Sequence, residues 1–382
     1  MHILLAAILF LAILTLWVPA FWPVAVFEAG VLVLAGVALV RFRHRLPVFS
    51  WPIVPLSGAA LWGSLQLLTG RSIYAFDTRN AVVEWTTFAA VYFLGLCLFR
   101  SADAARWFRS ALLWFTFLLS SAAILQVFTA PGRIFWLFQS HADEIVMGPF
   151  LYRNNYAAFV EAILPMAMYE ALHRSRTTLL HALMAAAMFA SVVASASRAG
   201  LVLASAEIIL VPLLVWQRRR HEDVSIGWPL LAAGVMLAVG TVAVGPQSVW
   251  VRFQDSDPYA IRRRLAVSTL HMVRAHLIVG TGLGTWSTAY PGFAIADFGR
   301  FANRAHNDWL QWAAEGGLPL ALLLVSVFFW SVRPAVRSIW GIGVIAVFLH
   351  ATVDYPFARP ALGSWVWLVL ALIAADAARG AA

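Results

Sequence analysis

The sequence predicts an all-α, polytopic integral membrane protein with about 12 transmembrane helices and one long periplasmic loop. Three observations carry that prediction. Of 382 residues, 62% are hydrophobic and 12% charged, where a soluble domain holds roughly 25% charged residues. Apolar runs close to the ~20 residues that cross a bilayer recur from end to end. No stretch is long and polar enough to form a separate soluble domain, so residues 1–382 read as a single membrane domain.

The expected spans lie near 3–20, 22–40, 51–69, 85–99, 110–130, 155–171, 178–196, 200–216, 226–245, 307–332, 339–353 and 361–377. The first lacks the basic leader of a signal peptide and a second apolar run follows at once, so it reads as an uncleaved span. With the N-terminus inside, the inner turns are Arg41–Arg45, Arg100–Arg109, His173–Arg176, Gln217–Asp223 and Arg333–Arg337. Together with Arg379 they hold 14 arginines, against 13 on the other side. Seven of those 13 (Arg252, Arg262, Arg263, Arg264, Arg274, Arg300 and Arg304) sit in one loop, 246–305, between the ninth and tenth spans. Long loops respond weakly to the positive-inside rule, and without them the bias supports this orientation. That loop is therefore basic where orientation does not require it.

A net charge of +9 would suggest nucleic acid in a soluble protein. Here the charge lies in turns between spans, which points to the lipid bilayer as partner and to no nucleic acid. All 27 basic residues are arginine. A GC-rich genome explains that choice, yet every basic group is still a fork-shaped donor suited to phosphate. The single cysteine, Cys97, lies in an apolar run, so no intrachain disulfide forms. No HExxH or Cys/His cluster indicates a metal.

Ionisable groups at membrane depth are costly and suggest function. Of Glu28, Glu161 and Glu207, Glu161 stands seven residues after Asn154, on one helical face with Arg153 at its mouth. Support of a site and an interhelical hydrogen bond are both open for it, whereas Glu28 and Glu207 read as structural. Ser197-Arg198-Ala199-Gly200 joins two spans with almost no loop. Its guanidinium either reaches lipid headgroups or is held for phosphate.

His306 opens the run His306-Asn307-Asp308-Trp309 at the threshold of an apolar helix. Histidine titrates near neutrality, as a general base must. His350 and Asp354 are four apart and could share a hydrogen bond, as a catalytic dyad or a structural clasp. Residues 259–277 read as an amphipathic helix that anchors on the membrane surface, packs on the bundle or binds a ligand, stopped by Gly280, Gly282 and Gly284. That glycine run lacks the strand, helix and lysine of a phosphate loop, so it reads as a turn. Asp255-Ser256-Asp257 resembles a nucleotide-sugar DxD, but the soluble domain that would use it is missing.

Four segments together resemble the O-antigen ligase/polymerase family of bacterial membrane glycosyltransferases. They are YRNNYAAFVEAILPM (152–166), SASRAG (195–200), HLIVGTGLGTW (276–286) and HNDWLQWAAEGG (306–317). HATVDYP (350–356) is similar to a further family segment. The resemblance implies a metal-independent, cofactor-free transfer of a glycan from undecaprenyl diphosphate to a glycan or lipid acceptor. It places the protein in the bacterial inner membrane with its site facing the periplasm. By matching position, His306 is the expected base. Arg198, Arg153 and Arg264 are expected on the diphosphate, with Asn154, Glu161, Asn307, His350 and Asp354 in support. Ligation is the leading expectation and chain polymerisation its alternative. A lipid-linked sugar flippase or transporter is the alternative of another class, one that would bury its charges near the midplane.

Overall fold

The computed structural model describes residues 1–44, 47, 49–140, 145–172, 176–218, 259–297, 299 and 301–380. The expected span 226–245, the Asp255-Ser256-Asp257 motif, Arg252 and Arg300 lie outside the described residues.

The described chain is almost entirely helical. Its helices are α1 (His2–Leu14), α2 (Trp22–Phe42), α3 (Ile53–Leu68), α4 (Ala75–Leu98), α5 (Ala102–Thr129), α6 (Arg153–Glu161), α7 (Leu164–Leu172), α8 (Thr178–Ser195), α9 (Arg198–Arg218), α10 (Ala260–Ala275), α11 (Trp286–Ala289), α12 (Asp308–Ser338), α13 (Ile342–His350) and α14 (Pro360–Arg379). One two-residue hairpin pairs Arg133–Ile134 with Phe138–Gln139. Among the described residues, α2, α4, α5, α8, α9, α12 and α14 are each long and apolar enough to cross a membrane, and α1 and α3 are shorter apolar helices. This is a multi-pass membrane protein.

The most buried of these helices is α14, whose Trp365 and Trp367 are shut off from solvent. The Phe159 ring lies 4.7 Å from Trp365, and Phe357 lies 5.2 Å from Trp367. A Cβ added to Gly95 of α4 would come 2.5 Å from the Ala371 Cβ of α14. Small residues at that crossing let two apolar helices approach where lipid supplies no hydrophobic drive.

Three expected elements are broken, each for a local reason. The run 155–171 is divided at Ala162–Ile163 into α6 and α7, just ahead of Pro165, which has no N–H for the helix ladder. Gly343 of α13 fits against this break; a Cβ there would meet the Glu161 carbonyl oxygen at 2.2 Å. In α12, Gly317 (φ 74, ψ 176) interrupts the helix, and Leu318 N donates to Leu277 O at 2.9 Å instead. Within 339–353, helix is confined to α13, which stops at His350.

Residues 259–277 form α10, packed on the bundle. Leu265, Met272 and Val273 join Trp286, Tyr290, Ala305 and Ala314 in a small core of their own. Ile261, Val267 and Leu270 stay exposed on its other face.

Candidate active site

Three helix N-termini meet at one end of the bundle. At α6, Asn154 is the second residue; at α9, the tight turn after α8 supplies Ser197; at α12, Asn307 is the N-cap. Ala196 makes the α8–α9 reversal possible by adopting a left-handed conformation, φ 52. The Ser197 hydroxyl then accepts from Gly200 N at 3.2 Å, capping α9, and donates to Asn154 Oδ1 at 2.7 Å. The Asn154 amide donates in turn to Asp354 Oδ2. One polar chain thus ties α6 and α9 to the turn that follows α13.

Asp354 is the hub. Its side chain is 3% exposed and its Oδ2 also accepts from Arg262 Nη2 at 3.0 Å. Its Oδ1 accepts from Tyr355 N at 3.0 Å and faces His306 Nδ1 at 3.5 Å. Burial raises the Asp354 carboxyl, but the facing His306 imidazole and Arg262 guanidinium, with His350 beyond, outweigh it and lower it to about 2. A carboxylate held in this way stays charged at every working pH.

His306 sits on a strained residue, φ 52. Its side chain is 29% exposed and meets Tyr355 edge-on, with ring centroids 4.8 Å apart. The 3.5 Å contact is longer than a full hydrogen bond, and Nδ1 has no nearer partner among the described residues. Such pairs tighten when substrate closes a site. Facing Nδ1 to a carboxylate favours the proton there and leaves Nε2 as the ring's acceptor nitrogen.

Arg153, Arg198 and Arg262 line one small cavity of about 90 Å³ together with Asn154 and Tyr259. At about 30 Å³ per water, that space suits a phosphate-sized group. Arg153 begins α6 and Arg198 begins α9, so two positive helix ends face the same space. Arg264, expected here from the sequence, is not brought to the cavity. Two residues along α10 from Arg262, it is turned by about 200° and is exposed. Arg262 stands where Arg264 was expected. Its register explains this, since it precedes the buried Leu265 by three and Thr269 by seven.

The His350 and Asp354 side chains do not share a hydrogen bond among the described residues. Helix α13 ends at His350, and although Asp354 N still donates to His350 O at 3.0 Å, the Asp354 carboxylate turns towards His306. His350 Nδ1 instead pairs with Glu161, at 3.1 and 3.0 Å to its two oxygens, both residues fully buried. Glu161 therefore supports the floor below the site and not the Asn154 face directly. Asn307 caps α12 through Leu310 N at 3.0 Å and donates to Thr352 O at 2.7 Å.

The glycine run 280–284 is a structural turn. Glu315 accepts from Gly284 N at 2.9 Å and from Trp286 N at 3.2 Å, while Gln66 donates to Val279 O and Glu315 O. A Cβ on Gly280 would lie 2.2 Å from Glu315 O, and one on Gly317 at 2.2 Å from Ile278 O. The two glycines let the loop lie against the start of α12, and so set where His306 emerges. Tyr355, Ser197 and Arg262 stand among the candidate site residues here but were not among those expected from the sequence. Only Arg262 left a trace, as the member of the Arg262–Arg264 run that shares the buried stripe of α10.

A comparison with protein families matches residues 183–325 to the family described as O-antigen ligase. The matched stretch includes Arg198, Arg262 and His306, and ends before Asp354. No curated protein matches the chain. The family that the motifs resemble is thus the one whose model matches, over residues 183–325.

Proposed function

We propose that the protein transfers a glycan from undecaprenyl diphosphate to an acceptor hydroxyl at the periplasmic end of the bundle, as an O-antigen ligase does. The observation that carries this reading is a single carboxylate, Asp354, that holds an arginine of the cationic cavity and faces His306 as well. An anion-binding pocket and a base are thereby set side by side.

In this reading Arg153, Arg198 and Arg262 hold the diphosphate. Guanidinium forks bind phosphate oxygens bidentately. They also stabilise the charge that grows as the bond from the anomeric carbon to the diphosphate oxygen breaks and its electron pair leaves with the diphosphate. The acceptor oxygen forms the new bond to that carbon and gives its proton to His306 Nε2. Asp354 then stabilises the imidazolium. The positive-inside bias puts this end of the bundle outside, and about 12 spans remain the expected total. Chain polymerisation would use the same atoms with a different acceptor.

The test is transfer by the purified protein in lipid nanodiscs, scored on a gel. Arg198→Ala and His306→Ala should each lose at least about 100-fold in rate. Full activity in both would remove the site assignment. Lipid translocation without transfer would make the protein a transporter.

A further inference from the structure

A second cavity adjoins the site and is unlike the first. Its volume is about 640 Å³, well inside the roughly 300–1,000 Å³ of small-molecule sites. Its walls include Glu28, Phe76, Asn80, Glu84, Arg304 and Arg359, with the α1–α2 turn closing one side. Glu28 is the seventh residue of α2 and Glu84 the tenth of α4. At 1.5 Å per residue they lie about 9 and 14 Å below the helix starts. Carboxylates at such depth are costly unless they line a polar path.

A chain of contacts links the wall of this cavity to His306. Arg304 is two residues ahead of it, and the segment that carries Asp354 runs on into Arg359. The Arg359 guanidinium lies 5.5 Å over the Tyr152 ring, Tyr152 meets Tyr355 at 6.1 Å, and Tyr355 meets His306 at 4.8 Å. Asp308 accepts from Phe357 N at 2.9 Å, which locks that wall to the start of α12. His306 is thus tied to the wall of the large cavity through Tyr355, Tyr152 and Arg359, and to the small one through Asp354 and Arg262.

Their charges differ in kind. The small cavity gathers three arginines, which suits an anion. The large one sets two carboxyl groups beside two guanidiniums, so hydrogen-bond acceptors and donors line it together. Sugar hydroxyls donate to carboxylates and accept from guanidinium and amide N–H groups, and Phe76 offers an apolar face to a ring.

We propose that the large cavity is the acceptor site: it binds the end of a polyhydroxylated acceptor glycan and presents one hydroxyl to His306. The proposal rests on the reading of His306 as the base. The hydroxyl oxygen bonds to the anomeric carbon, its proton passes to His306, and the diphosphate leaves with the electrons of the broken bond.

The test uses membrane vesicles from producing cells, which supply donor and acceptor together. Cys97 is the one cysteine and is buried, so a thiol placed at the cavity rim by Ala20→Cys is the accessible one. Modification with methanethiosulfonate ethylsulfonate should lower transfer at least tenfold against the same variant unmodified, and dithiothreitol should restore it. Glu84→Gln should also lower transfer about tenfold. In both cases undecaprenyl diphosphate binding, measured on the purified full chain in nanodiscs, should stay within twofold. Transfer that ignores both changes overturns the proposal. So does a parallel fall in undecaprenyl diphosphate binding, which would assign the cavity to the donor. His306→Ala in the same vesicles separates the two readings, because wild-type transfer there removes the base and not the cavity assignment.

Discussion

Asp354→Asn should keep the fold and still reduce transfer about 10²–10⁴-fold, the range for a disabled general base. The carboxylate meets donors on both oxygens: Asn154 and Arg262 at Oδ2, Tyr355 N and the His306 imidazole at Oδ1. An amide must replace one oxygen with NH₂, so in either orientation a donor confronts donors. Removing one partner of a fully buried ion pair costs about 3–5 kcal/mol. Here Arg262 is 26% and His306 29% exposed, so water takes up part of the loss and about 1–3 kcal/mol is expected. The melting temperature should therefore fall modestly while the single-turnover transfer rate collapses. Transfer by the Asp354→Asn variant within threefold of wild type would refute the reasoning. The pH dependence has a definite sign. The Asp354 carboxyl is lowered to about 2 in the folded protein, against about 3.9 when unfolded. Its stabilisation, about 3 kcal/mol, is complete above the unfolded value and is lost as pH falls through the folded one. A profile between pH 5 and 8 therefore does not titrate Asp354.

Three further outcomes are expected. Arg262→Ala should weaken transfer at least about tenfold while Arg264→Ala stays near wild type, read in the same gel assay, because only the first lines the cavity. Gly317→Ala should destabilise by about 2–5 kcal/mol in thermal melts. Its backbone lies in a region open almost solely to glycine, and the new Cβ meets a carbonyl that cannot move. Glu161→Ala leaves His350 buried without its partner. It should cost about 3–5 kcal/mol, seen as a lower melting temperature, with a smaller effect on transfer per folded molecule.

Much of the fold was legible because apolar periodicity and length decide it. Helices α2, α5, α8 and α9 lie close to the expected spans. The breaks were harder to read: Gly317 and the turn before Pro165 look like ordinary interruptions until the opposing carbonyls at Ile278 and Glu161 are seen. Helical spacing allowed a His350–Asp354 side-chain pair; the backbone keeps that spacing, with Asp354 N donating to His350 O, but Glu161 takes the His350 imidazole and His306 faces the Asp354 carboxylate, which four-residue spacing could not convey. The three consecutive arginines at 262–264 are equivalent as text; only the buried stripe of Leu265, Thr269 and Met272 sets which one turns inward. Glu84 escaped notice because the expected span began at 85, one residue beyond it.

The most direct test measures undecaprenyl diphosphate binding and single-turnover transfer on the same nanodisc samples of Arg198→Ala and His306→Ala. The account predicts a split: Arg198→Ala loses at least tenfold in affinity, while His306→Ala binds within twofold of wild type and transfers at least about 100-fold more slowly. Normal transfer by His306→Ala, or unchanged affinity in Arg198→Ala, would contradict it.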